Sequence, residues 1–184
     1  NQGDDAVLLD RDGVRELLPY LDFDNTRFPI YGGLLHPRGG SARHDAVAWG
    51  YARGADQRGV DLILNCVVTG IDVENGVVKG VQTTRGAIRA KKVAIVVAGR
   101  SSQVAAMAGM RLPIESHILQ AFVSEGLKPV IHHVISFGMG HFYISQSDKG
   151  ELVFGGDIDF YASYAARGNL PMVEHVMEAG MTLM

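Results

Sequence analysis

The sequence predicts an α/β (α+β) chain, in which part of a layered α/β domain joins a mostly antiparallel sheet. Three observations carry that prediction. A helical segment rich in alanine and glycine, Ser41–Arg58, runs into the short apolar stretch VDLILN, Val60–Asn65. An alternating stretch with two turn signals follows, and it leads into a second apolar run, VAIVVA, Val93–Ala98. Beyond Gly109 the texture changes to repeated strand-like segments.

Each element has its own reason. LDRDGVRELLPYL reads as a short helix over Leu9–Leu21, capped near Asp10 and stopped at Pro19. A connection rich in Gly and Pro continues to Gly40, with GGLL as a short strand. Ser41 is placed as N-cap of the next helix, where Ala46, Val47, Gly50, Ala52 and Ala55 form a face small enough to lie against a sheet. Val60–Asn65 and Val93–Ala98 have the length and composition of parallel strands buried on both faces. Between them, Glu74-Asn75-Gly76 and Arg85-Gly86 fold the alternating stretch into a three-stranded antiparallel meander. GRSSQVAAMAG is a glycine turn opening a short helix. The segments LPIESHILQAFVSE, PVIHHVISF, HFYISQS and ELVFGGDIDFY then form an antiparallel sheet, with Ser147–Gly150 as a hairpin turn. A terminal helix begins near Pro171, a residue suited to a first helical turn. Residues 1–40 are thus a connecting segment of the sheet domain, 41–110 the α/β part, and 111–184 the sheet part.

Bulk properties narrow the function. With 184 residues, 47% of them hydrophobic and 8% aromatic, the chain can fill a core. A net charge of −3 lacks the basic excess of a nucleic-acid surface. No apolar run reaches the roughly 18 residues that cross a bilayer, so no membrane role is expected. The acidic, polar start, NQGDDAVLLD, does not resemble a secretory leader. Cys66 stands alone inside LILNCVV and reads as a buried small hydrophobe, which fits a cytoplasmic location. The chain ends on VEHVMEAGMTLM, still helical in pattern and without a cap, and reads as an internal piece of a longer protein.

Few residues carry chemistry by themselves. No G-x-G-x-x-G occurs. His132 and His133 are adjacent, so on a strand they point to opposite faces; with no H-x-x-x-H pair and one cysteine, no metal site is expected. His44 differs in position. With Ser41 as N-cap it falls near the third helical residue, where the macrodipole disfavours an imidazolium and leaves a neutral nucleophile. Arg43 pushes the same way, while Asp45 is placed either to orient the ring or to offset that charge. The plain alternative is a solvent-facing first turn. Gly39 and Gly40 permit close backbone approach, and a helix start suits phosphate; a flavin mononucleotide satisfies both, though a simple loop does as well.

The blocks RGGSARHDAVAWGYARGADQRGVDLI, VVTGI, KKVAIVVAGRSSQVAAMAGMRLPIESHILQAFVSE and YISQSDKGELVFGGDID stand in a specific order. In that order they resemble the beta-subunit family of heterotetrameric sarcosine oxidases, among the amino-acid-oxidase-like FAD-dependent oxidoreductases. The resemblance implies a fragment of a Rossmann-type FAD-binding domain joined to a substrate-binding domain. It implies oxidation of a small amine, sarcosine to glycine, with electrons passing from FAD to a covalent FMN and then to oxygen, giving hydrogen peroxide. It places the FMN attachment on His44 beside Arg43, a backbone contact to FAD at Val68, and the dinucleotide approach at Ala98 and Gly99. Tyr143 becomes a possible substrate contact, with core packing as the equal alternative. The implied partners are alpha, gamma and delta subunits. The family's phosphate-binding loop has no counterpart in these residues, so the chain alone is expected to be inactive. Two alternatives stay open: an amine oxidase or dehydrogenase for dimethylglycine or glycine, and a non-catalytic assembly piece.

Overall fold

The computed structural model describes residues 5–184; of the acidic N-terminal stretch, residues 1–4 lie outside it. Two compact units divide the chain. One takes in the residues up to Ser41 together with Ile118–Tyr161 and Ala165–Met184, and the other Ala42–His117 with Ala162–Tyr164.

Strand β1 (Val7–Asp10) runs directly into helix α1 (Arg11–Leu17). The predicted cap forms, because the Asp10 carboxylate accepts the Gly13 N–H at 2.8 Å and satisfies one orphan donor. β1 itself is not legible in VLLD, whose apolar residues merge with those of the helix. It exists because β2 (Gly32–Leu35) supplies a distant antiparallel partner, with Val7 opposite Leu35 and Asp10 opposite Gly32.

Helix α2 (His44–Asp56) starts later than its sequence suggests. Arg43 is the N-cap and gives no side-chain hydrogen bond, so the expectation of Ser41 as cap is corrected and His44 becomes the first helical residue. No residue of α2 is buried, so its face of small residues lies on no sheet. The same correction applies to Val60–Asn65 and Val93–Ala98: neither is a strand. A strand exists through its ladder, and neither run has a ladder partner among the described residues. Their apolar side chains stay open, Ile63 at 50% and Val96 at 88% exposure.

The meander forms where predicted, as β3 (Val68–Glu74), β4 (Val77–Thr83) and β5 (Gly86–Arg89) in the order β3-β4-β5. Its first turn needs two left-handed residues, and Asn75 and Gly76 supply them at φ 49° and 75°. After a 3-10 turn at Ala98–Arg100 comes helix α3 (Ser101–Ala106).

The four-stranded sheet, the second of the two larger sheets, is wholly antiparallel. It comprises β6 (Leu119–Gly126), β7 (Ile135–Phe137), β8 (Phe142–Gln146) and β9 (Glu151–Ile158), in the order β6-β9-β8-β7. Here PVIHHVISF yields a strand only at its end, so His132 and His133 precede the ladder. At the start of that stretch Gln146 takes the place of a neighbouring strand. Its side-chain oxygen accepts from Val130 and Ile131 N–H, and its nitrogen donates to the carbonyls of Lys128 and Gly150. These bonds satisfy backbone groups that a strand would otherwise have offered to a neighbour.

Helix α4 (Leu170–Leu183), with Pro171 in its first turn, buries Met172, Val176, Ala179 and Leu183 along one stripe. Val176, Ala179 and Leu183 of that stripe join Phe142 and Ile144 from the sheet, Ile131 and Ile135 from the loop and β7, Val14 from α1 and Leu18 just after it in one core cluster. Each large side chain buried there contributes roughly 1.5–3 kcal/mol. No helix among the described residues is long and apolar enough to cross a membrane.

Candidate functional site

His44 is exposed at the first position of α2, and its neighbours are a cation and an anion. The Arg43 guanidinium lies 3.5 Å from the Asp45 carboxylate. The Asp45 carboxyl is held below its ordinary range, first by the Ala46 backbone N–H and then by Arg43 and His44. An acid in the first turn also answers the positive end of the helix. His44 is thus an accessible imidazole flanked in sequence by a guanidinium and a carboxylate that pair with each other. Such a group can act as a nucleophile towards an electrophilic carbon.

The glycine turn is built by hydroxyls that sequence reasoning did not single out. Ala98 sits in the left-handed region at φ 46°. Ser101 donates to the Ala98 carbonyl at 2.7 Å, and Ser116 donates to the Gly99 carbonyl at 2.5 Å. Together they hold the backbone of the turn against its own strain. Ser101 was visible in GRSSQ, whereas Ser116 comes from a separate segment and carries no local signal. Arg100 leaves the same turn and lays its guanidinium 5.4 Å from the Tyr164 ring centroid.

Val68 opens β3, half-buried, opposite Thr83. His44, Val68 and the pair Ala98-Gly99 therefore share one compact unit but stand on three separate elements. Tyr143 lies in the other unit, half-buried on β8. Cys66, expected to be buried, is partly exposed. Among the described residues no group of three His, Cys, Asp or Glu side chains is arranged to hold a metal ion.

The unit of the second sheet also holds a cavity of about 800 Å³, which no motif announced. Val14, Leu17 and Leu18 give it an apolar floor, and His36, His132 and His133 are among its polar lining. Gly39 and Gly40, expected to allow close approach, line it too. Its walls come from segments far apart in sequence, which is why no local pattern marks it.

The chain belongs to the FAD dependent oxidoreductase family, whose match runs over residues 1–184. It is 71% identical over 181 residues to a sarcosine oxidase subunit beta of Rhizobium meliloti (strain 1021), covering 98% of this chain and 44% of that protein. Against the subunit beta of Rhodobacter capsulatus the identity is 53% over 166 residues, covering 90% of this chain and 40% of that one. The chain thus spans less than half the length of these relatives. Among solved structures, L-proline dehydrogenase from P. horikoshii superposes with a TM-score of 0.83 at 24% identity, over 98% of this chain and 48% of that one, a likeness of fold.

Proposed function

We propose that this chain is part of a sarcosine oxidase beta subunit, an enzyme that demethylates sarcosine oxidatively to glycine. Sarcosine, oxygen and water would give glycine, formaldehyde and hydrogen peroxide, a balanced two-electron oxidation. The observation that carries this reading is the 71% identity over 181 residues to a protein of that name. The site residues fit the cofactors of the reading. His44, exposed at the start of α2, would hold FMN covalently, with Arg43 offsetting negative charge on the ring. Val68, Ala98 and Gly99 would hold FAD by backbone contact, and the turn at 98–99 is already braced for it by Ser101 and Ser116. Bound flavin supplies the two-electron acceptor, and the protein's share is to bind and orient the amine. In this reading residues 111–184 belong to the substrate domain. The sheet face opposite α4 takes the amine, with Tyr143 as a contact. Alpha, gamma and delta subunits complete the assembly, in the cytoplasm.

The test uses the full-length protein co-expressed with its partner subunits. Intact mass should show one flavin mononucleotide bound to this subunit, and denaturation should release FAD alone. His44→Ala should lose the bound mass while FAD remains extractable. A variant that keeps FMN through denaturation rejects His44.

A further inference from the structure

We propose that the corner Gly155-Gly156-Asp157 is a positioning device for Tyr143, a proposal that rests on the reading above that the open sheet face takes the amine. Phe142 and Ile144, on either side of Tyr143, are buried in the core at 4% exposure each, so Tyr143 points to the opposite face. Across the four strands its row reads Ser136, Tyr143, Gly155 and Ala121. Tyr143 is the one large side chain in that row.

The glycine beside it is required twice over. A Cβ at Gly155 would lie 2.7 Å from the Tyr143 hydroxyl and 3.0 Å from its Cζ, so the tip of the ring rests directly on that backbone. The same Cβ would stand 2.4 Å from the Gln120 carbonyl. At Gly156, φ is 154° and a Cβ would fall 1.6 Å from the His141 carbonyl. Strand β9 therefore closes on β6 and on the start of β8 at two consecutive residues without side chains.

Asp157 completes the corner. Leu119 pairs with Ile158 and Gln120 with Gly156, which leaves Asp157 as the extra residue of a bulge. It sits in the left-handed region at φ 54°, and His141 does so at φ 45°. The bulge turns the Asp157 side chain inward to 9% exposure. One oxygen lies 3.1 Å from His175 Nε2 on α4, and the other 3.7 Å from His141 Nδ1. That second oxygen also accepts the Ile158 N–H at 2.8 Å. One carboxylate thus stands within ion-pair range of both the helix behind the sheet and, two residues before Tyr143, the turn that launches β8, and it binds them when their imidazoles are protonated. Strain of this kind survives only where surrounding contacts over-determine it, and it gathers at functional sites. An aromatic ring laid over a strand glycine also stabilises a sheet, and a purely stabilising role would move melting without moving substrate affinity.

The experiment uses the full-length, flavin-loaded enzyme. Asp157→Asn keeps the shape and the acceptor for Ile158 while weakening the hold on both imidazoles. It should raise KM for sarcosine at least five-fold, with kcat within two-fold and Tm little changed. Tyr143→Phe alone should also raise KM. The double variant should show no more than the larger single effect, because both act through one hydroxyl. KM effects that multiply, or an Asp157→Asn that lowers Tm and leaves KM unchanged, overturn the proposal. If Tyr143→Phe alone changes neither KM nor kcat, the reading of the open face falls, and the proposal with it. Should Asp157→Asn fail to fold, Tyr143→Trp, which overfills the shelf above Gly155, must raise KM more than Tyr143→Phe does; an equal or smaller rise overturns the proposal.

Discussion

The two compact units follow the same sequence logic and reach opposite outcomes. The unit of the second sheet holds nearly all the buried apolar residues, from Val14 in α1 to Leu183 in α4. In the other unit Ala105 is the one buried hydrophobic among the described residues. Their long helices sharpen the contrast. Helix α4 buries four residues along its stripe, whereas α2, of similar length, buries none. Both carry an apolar face. A hydrophobic pattern specifies a face but not its cover, and burial belongs to a pair of surfaces.

The largest expected effect tests that contrast directly. Leu183 is fully buried, so Leu183→Ala removes transfer free energy and leaves a cavity. It should cost about 2–5 kcal/mol in urea unfolding. Val47 on α2 is 46% exposed, and Val47→Ala should stay within about 0.5 kcal/mol. Equal losses at the two positions would break the comparison, because they would mean that α2 has a cover as close as that of α4.

A smaller difference separates the helix starts. Asp10 caps α1 with a side-chain bond to Gly13, whereas Arg43 gives α2 none. Asp10→Ala should cost about 1 kcal/mol, and the Arg43→Ala change should not register as loss of a cap. Unfolding midpoints of the two variants, measured side by side, check the pair. A large effect at Arg43 would point to a role in holding the chain that its cap geometry does not supply.

What the sequence disclosed divides along the same physical line. The meander was legible because its register is set by Asn75-Gly76 and Arg85-Gly86, signals that act within a few residues. The hairpin at Ser147–Gly150 and the start of α4 at Pro171 were legible for the same reason. Val60–Asn65 and Val93–Ala98 misled because a buried parallel strand is recognised by composition alone, and composition does not supply the neighbouring strand. β1 failed in the other direction: its partner lies beyond a whole helix, so VLLD looked like the helix it precedes. At the site, His44 could be singled out by its place near a helix start, but the turn of one residue against another could not. Arg43 took the cap that Ser41 was expected to fill, and His44 moved to the first position. The cavity, the serine brace at Ser116 and the carboxylate of Asp157 were not legible at all. Each depends on segments that meet only after folding, and a left-handed aspartate has no signature in the chain.

The smallest effect concerns two exposed carboxylates, one in each unit. Glu178 on α4 is held below the ordinary glutamate range, first by its hydrogen bond and ion pair with Arg27, with a lesser contribution from His175. Asp45 on α2 is held down chiefly by the backbone N–H of Ala46. A carboxyl whose pKa is depressed on folding adds stability above its unfolded value and loses it as pH falls through the folded one. Both groups therefore act on the acid limb, below the ordinary value of 4.5 for Glu178 and 3.8 for Asp45. They differ in range. Arg27 and Glu178 are 151 positions apart, so their pairing vanishes in the unfolded chain. Arg43 and Asp45 are close neighbours, and part of their attraction persists when the chain unfolds. Arg27→Met should accordingly flatten the acid limb of the stability curve visibly, and Arg43→Met should flatten it less. Both effects should shrink in high salt, since these charges face solvent. Measuring the unfolding midpoint at stepped pH, with and without added salt, separates the cases. An Arg43 effect as large as that of Arg27 would mean that the start of α2 is held by more than its local sequence.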